Sequence, residues 1–172
     1  MTYGGLGTNP FNPALTGRIF LLMAYPVEMT DWTTSIPDSL SGATMLAEVK
    51  YNPALASELN FTEMFGGYMN GSMGEISALA LILGGLYLLW RKVITWHIPV
   101  SILLTMALFA MGYAIGFGGS LIYELPLFHL LAGGALLGAI YMATDYSTSP
   151  MTHKGMIIYG VGIGVITMVI RL

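Results

Sequence analysis

The sequence contains no cysteine, and only 9% of its 172 residues are charged. The first absence removes two kinds of chemistry: no disulfide framework can staple the fold, and no thiolate can ligate an iron–sulfur cluster. An electron carried by this chain must ride on an organic cofactor or on a partner's metal. The second absence excludes a water-soluble globule, in which about 25% of residues are charged. With 55% hydrophobic residues, the composition is that of an integral membrane protein. Basic side chains are also few, six Lys plus Arg against nine Asp plus Glu for a formal charge of -3, and they are scattered. Nucleic acid needs a basic stripe or patch to displace its counterions, so that partner class is set aside. The first residues lack the basic region and apolar core of a secretory signal, so insertion is expected to use the transmembrane segments themselves.

Helical signals are present in good number. Asn12 followed by Pro13 is a helix start, because Asn accepts from free backbone N–H groups and Pro tolerates the first helical position. The apolar run Ala14 to Tyr25, interrupted by Thr16, Gly17 and Arg18, is closed by Pro26. Such a helix is about 20 Å long, against a hydrocarbon core of about 30 Å. It reads as half a helix, whose free N–H donors suit a polar ligand; an ordinary span or a tilted interfacial helix is the alternative. Residues 27–74 form a long loop with no apolar run able to span. Spans are expected over Glu75 to Trp90, Ile94 to Gly116 and Pro126 to Thr144, with Gly155 to Ile170 as a fourth. The pairs Gly112/Gly116, Gly134/Gly138 and Gly160/Gly164 are spaced as close-packing faces. Arg91, Lys92 and Lys154 mark the cytoplasmic side by the positive-inside rule, which puts the long loop outside. Trp90 and Trp96 beside His97 read as an interfacial belt.

Within the long loop stands Asp38-Ser39-Leu40-Ser41-Gly42-Ala43-Thr44. An acidic residue, two spacers, a hydroxyl residue and then Gly-Ala-Thr resembles the motif at which the flavin transferase ApbE esterifies FMN, through its phosphate, onto a threonine. Thr44 is then the attachment residue, and Asp38, Ser41, Gly42 and Ala43 are motif residues. The physics is coherent: the acceptor hydroxyl must meet a phosphoryl group in line, and small neighbours let another active site close over the backbone. The competing reading is that Ser41 or Thr44 caps a short helix over residues 45–51. A capping box would want Glu or Gln where Ala47 stands.

The run Gly4-Gly5-Leu6-Gly7 to Asn12-Pro13-Ala14-Leu15-Thr16-Gly17-Arg18, the tripeptide Ala24-Tyr25-Pro26, the Ser-Gly-Ala-Thr loop, and Ala143-Thr144-Asp145 with Thr148-Ser149-Pro150 resemble the NqrB/RnfD family. Its members are membrane subunits of the sodium-pumping NADH:quinone oxidoreductase and of the Rnf ferredoxin:NAD oxidoreductase, and the compact sequence is more similar to the RnfD branch. The resemblance covers nearly the whole chain, residues 1–172. It implies an all-α, multi-pass bundle in the cell inner or plasma membrane and electron transfer on FMN attached to Thr44. It also implies a second, noncovalent flavin, riboflavin or FMN, near Asn9, Asn12 and Arg18. Cap and turn roles explain the two asparagines equally, and Arg18 can instead pair with Asp145 or snorkel to the surface. The implied partners are the other membrane subunits, an outer-side flavoprotein, ApbE for maturation, and membrane lipid. No metal site and no catalytic residue of its own is expected. Family members have helices before the glycine-rich opening and a segment after the final Arg-Leu, so the chain reads as a portion of a longer protein. Two other classes stay open: the NqrB component of the quinone reductase, and a solute channel or transporter, whose broken helices look alike.

Overall fold

The computed structural model describes residues 9, 11–30, 49, 61–67, 74–75, 77–117 and 126–172, and every regular element among them is helical. Thr44 and its motif neighbours Asp38, Ser41, Gly42 and Ala43 lie outside the described residues. In order the helices are α1 (Pro13–Ala24), α2 (Phe61–Gly66), α3 (Ala78–Trp90), α4 (His97–Phe117), α5 (Pro126–Leu131), α6 (Ala135–Leu137) and α7 (His153–Arg171). A π-helical turn, Gly138–Met142, extends α6.

Among the described residues, two segments are long and apolar enough to cross a membrane, His97–Gly116 at 20 residues and His153–Arg171 at 19. They form the centre of the bundle and run parallel. At one end the rings of His97 and His153 stack at 4.5 Å. Further along, a Cβ on Gly160 would meet the Ile98 carbonyl oxygen at 3.2 Å, and one on Gly164 would meet the Ile102 carbonyl oxygen at 3.1 Å. The four-residue advance on both helices fixes the direction, and the missing side chains let the backbones approach. Ile98, Ile102, Met106 and Ala110 of α4 bury against Met168 of α7, with Ala139 and Ala143 closing the cluster.

Of the three glycine pairs, Gly160/Gly164 alone packs as spaced. A Cβ on Gly112, Gly116 or Gly138 would meet nothing within 4 Å. The first two sit on a face of α4 turned away from the row of residues 98, 102 and 106 that meets α7. Glycines at Gly84 and Gly85 of α3 do receive a neighbour, since Ile140 and Tyr141 of the π-helical turn press there. The Tyr141 hydroxyl donates to the Leu81 carbonyl at 2.9 Å.

The expected span Pro126 to Thr144 is not one helix. It breaks at Gly133 and Gly134, whose φ angles of 63° and 62° are both left-handed. What holds the break is tertiary. The Arg171 guanidinium, at the end of α7, donates to the carbonyls of His129 at 2.6 Å and Gly133 at 2.5 Å. The first is in the last turn of α5, where carbonyls lack an internal partner, and the second is in the turn that follows. Beyond the break the helix widens into the π turn, closed by the Ala143 N–H on the Gly138 carbonyl at 2.8 Å. Single π turns of this kind are rare and concentrate at functional sites.

The long loop is not wholly irregular, since α2 falls within it and packs on α3 and α5. Met64 of α2 is fully buried, as is Val49.

Candidate functional site

The half-helix α1 begins where the sequence places it. Asn12 is its N-cap, with Oδ1 accepting from the N–H groups of Ala14 at 3.0 Å and Leu15 at 3.4 Å. The same side chain reaches across the fold: its Nδ2 donates to the carbonyl of Met142, the last residue of the π turn, at 3.2 Å. A terminal carbonyl without an intrahelical acceptor role is thereby satisfied by the cap of another helix. This sets the amide orientation, with oxygen toward N–H groups and nitrogen toward a carbonyl. An Asn amide has two N–H donors, so one is left for a ligand.

Arg18 lies farther along α1 and pairs with Glu75 at 3.7 Å, not with Asp145. The Asp145 carboxylate instead accepts from the hydroxyls of Ser147 at 2.8 Å and Thr148 at 3.1 Å. Glu75 precedes α3, and its side chain is 10% exposed. Its carboxylate rests on the helix break: a Cβ on Gly134 would meet Glu75 Cδ at 3.1 Å. Gly134 is the N-cap of α6, so the negative charge stands at the positive end of the α6 and π-turn dipole. Arg18, Glu75 and Arg171 therefore converge on one irregular stretch of backbone, Arg171 on its carbonyl side and Glu75 on its amide side.

These two polar links, at Asn12 and Arg18, hold a helix with no buried residue. Ile19, Phe20 and Met23 are 59%, 71% and 79% exposed. An apolar helix with no polar face belongs in lipid or inside more protein, not in water. Arg18 itself is 45% exposed on its side chain, so its guanidinium keeps donors beyond the Glu75 contact. Asn9 is half-buried just ahead of the cap. The partners of Asn12 and Arg18 stand at opposite ends of the α6 and π-turn stretch, Met142 at its end and Glu75 beside Gly134 at its start.

Sequence reasoning singles out Asn12 and Arg18, and Gly134 only as a packing glycine; the contacts of Glu75 and Arg171 with the helix break at Gly133 and Gly134 are seen in the structure alone. The Gly-Gly dipeptide is an available turn signal. Here it is masked by apolar residues on both sides that continue a helical pattern. No group of three or more His, Cys, Asp or Glu able to hold a metal ion occurs among the described residues.

A sequence profile of the NQR2, RnfD, RnfE family matches residues 1–172. Among curated relatives, the D component of the Na(+)-translocating ferredoxin:NAD(+) oxidoreductase complex of Acetobacterium woodii is 48% identical over 99% of this chain and 51% of its own length. The D component of the proton-translocating ferredoxin:NAD(+) oxidoreductase complex of Clostridium ljungdahlii is 42% identical over 98% of this chain and 54% of its own. Its counterpart in the ion-translocating oxidoreductase complex of Ectopseudomonas mendocina is 40% identical over the same shares. The chain thus spans about half the length of the curated relatives it matches.

Proposed function

Because the chain belongs to the NQR2, RnfD, RnfE family, we propose that it forms part of the RnfD component of an Rnf-type complex, which couples electron transfer between ferredoxin and NAD to ion movement across a membrane. The observation that carries this reading is the 48% identity, over 99% of the chain, to a relative named for that complex. Relatives named for sodium and for protons match at similar identity, so the proposal names the electron-transfer role and leaves the ion unassigned.

FMN esterified to Thr44 supplies the redox chemistry, and the chain's task is to place it. Thr44 contributes the hydroxyl that carries the phosphate ester, in a loop on the outer side of the membrane, reached by ApbE during maturation and by an outer flavoprotein during turnover. Asp38, Ser41, Gly42 and Ala43 make that loop recognisable to the transferase. Arg18 and the remaining N–H of Asn12 hold a second, noncovalent flavin at the start of α1, with Asn9 beside them. The break at Gly133–Gly134, gripped by Arg171 and Glu75, keeps irregular backbone at membrane depth, where it is tolerated only beside a cavity or inside protein.

The test is complementation with the full-length protein. Membranes from a strain lacking it are expected to lose ferredoxin-dependent NAD reduction and to regain it with the wild-type gene. Undiminished activity in the deletion strain overturns the assignment. Loss of NADH:quinone reduction instead transfers it to the quinone reductase.

A further inference from the structure

At the end of the bundle where α4 and α7 begin, α3 stops in a way that its sequence does not favour. The Lys92 N–H donates to the Leu89 carbonyl and the Val93 N–H to the Leu88 carbonyl, both at 3.0 Å. This pair of bonds is the Schellman closure, and its left-handed position is usually glycine. Here the position holds Lys92, with φ 56°, and it is the one non-glycine residue with positive φ among the described residues. In that conformation the Cβ crowds the following carbonyl, a cost that glycine does not carry.

Lys92 lines an open cavity of about 420 Å³ together with Leu89, Ile94, Thr95, Trp96 and His97. Trp96, in the lining, stacks on His97 at 4.2 Å, and His97 stacks on His153 at 4.5 Å. The exposed charged side chains described at this end are basic. Arg91, Lys92 and Lys154 are exposed, and Tyr146 ties the neighbouring loop down by donating to the Val93 carbonyl at 2.7 Å. The one acidic residue on that loop, Asp145, turns its carboxylate onto the hydroxyls of Ser147 and Thr148.

An apolar stripe leads away from the cavity along α4, starting at Trp96 in its lining. On α4, Trp96 heads a row continued by Val100, Leu104 and Leu108, from 47% to 59% exposed. The row from Val100 to Leu108 is about 12 Å long, close to the ~15 Å of one leaflet's hydrocarbon. A cation at a cavity, a tryptophan in its lining and an acyl-length stripe running on from that tryptophan match the parts of a phospholipid in order.

We propose that this cavity binds an anionic phospholipid, with Lys92 meeting the phosphate region and an acyl chain lying along the exposed row of α4. Lysine binds phosphate as a point charge, and basic pockets between transmembrane helices are suited to anionic headgroups. The left-handed strain at Lys92 is then explained: a glycine would make the better turn, but it would leave the headgroup without its cation.

The experiment uses the intact complex, delipidated in neutral detergent and titrated with phosphatidylglycerol or phosphatidylcholine, with bound lipid counted by native mass spectrometry. Lys92→Gly is the informative variant, because it restores the residue that the turn favours while deleting the charge. Phosphatidylglycerol should bind one site about fivefold more weakly in this variant, the effect of one basic side chain at a membrane surface. Phosphatidylcholine binding and the melting temperature should not fall, and Lys92→Arg should behave as wild type. Inorganic phosphate added in millimolar excess should leave the lipid bound. Equal phosphatidylglycerol affinity in wild type and Lys92→Gly overturns the proposal. Displacement of the lipid by inorganic phosphate also overturns it, since the cavity would then be a site for small free anions.

Discussion

Asn12 uses its one amide in two directions, and the two roles separate by substitution. Asn12→Leu removes the cap, worth about 1 kcal/mol, and strands the Met142 carbonyl, at about 1 to 3 kcal/mol more. Asn12→Asp keeps the acceptor that caps α1 and deletes only the donor that reaches Met142. Thermal denaturation of the full-length protein should therefore rank wild type above Asn12→Asp and Asn12→Asp above Asn12→Leu; three equal melting temperatures would show that neither contact matters. The same residue tests the second flavin. In the assembled complex Asn12→Leu should lower the acid-released flavin, with a loss of affinity of roughly fivefold to hundredfold, and spare the retained fraction. An unchanged released fraction would reduce Asn12 to a cap and a tie. The capping role is legible in the sequence because Asn before Pro is a local signal. Its long-range partner is not, because a backbone carbonyl has no sequence signature.

The elements divide in the same way. α1 ends within a residue of the sequence reading because its limits are set locally, by Asn12 and Pro13 at one end and Pro26 at the other. The span expected from Pro126 to Thr144 fails at Gly133 and Gly134 for the opposite reason: residues remote in sequence, Arg171 and Glu75, stabilise the two exposed helix ends. That account separates two glycines four residues apart. Gly134→Ala must hold a side chain at φ 62° with its Cβ 3.1 Å from Glu75 Cδ, at about 1 to 2 kcal/mol for the backbone alone. Gly138→Ala meets nothing within 4 Å and adds helix propensity. In the purified complex the first should lower the melting temperature and the second should leave it level or raise it. The reverse order would mean that the break is not held as described.

At the scale of the whole molecule, α4 and α7 start at one end, so Arg91, Lys92 and Lys154 share a face of the bundle, as the positive-inside reading requires. With that face inside, Ser57→Cys in the full-length protein should react with a membrane-impermeant thiol reagent in intact cells, and Ser149→Cys should not. The opposite pattern would reverse the orientation and the side on which flavin is loaded. The half-helix α1 buries no residue and leaves Ile19, Phe20 and Met23 exposed beside the Arg18–Glu75 pair. The central claim, that this chain is a flavin carrier, rests on one hydroxyl. The direct measurement is in-gel flavin fluorescence of the full-length protein after denaturation, wild type against Thr44→Val, in cells expressing ApbE. The account predicts a fluorescent band for the wild type and none for Thr44→Val at equal membrane insertion. A band retained by Thr44→Val, or absent from the wild type, contradicts it.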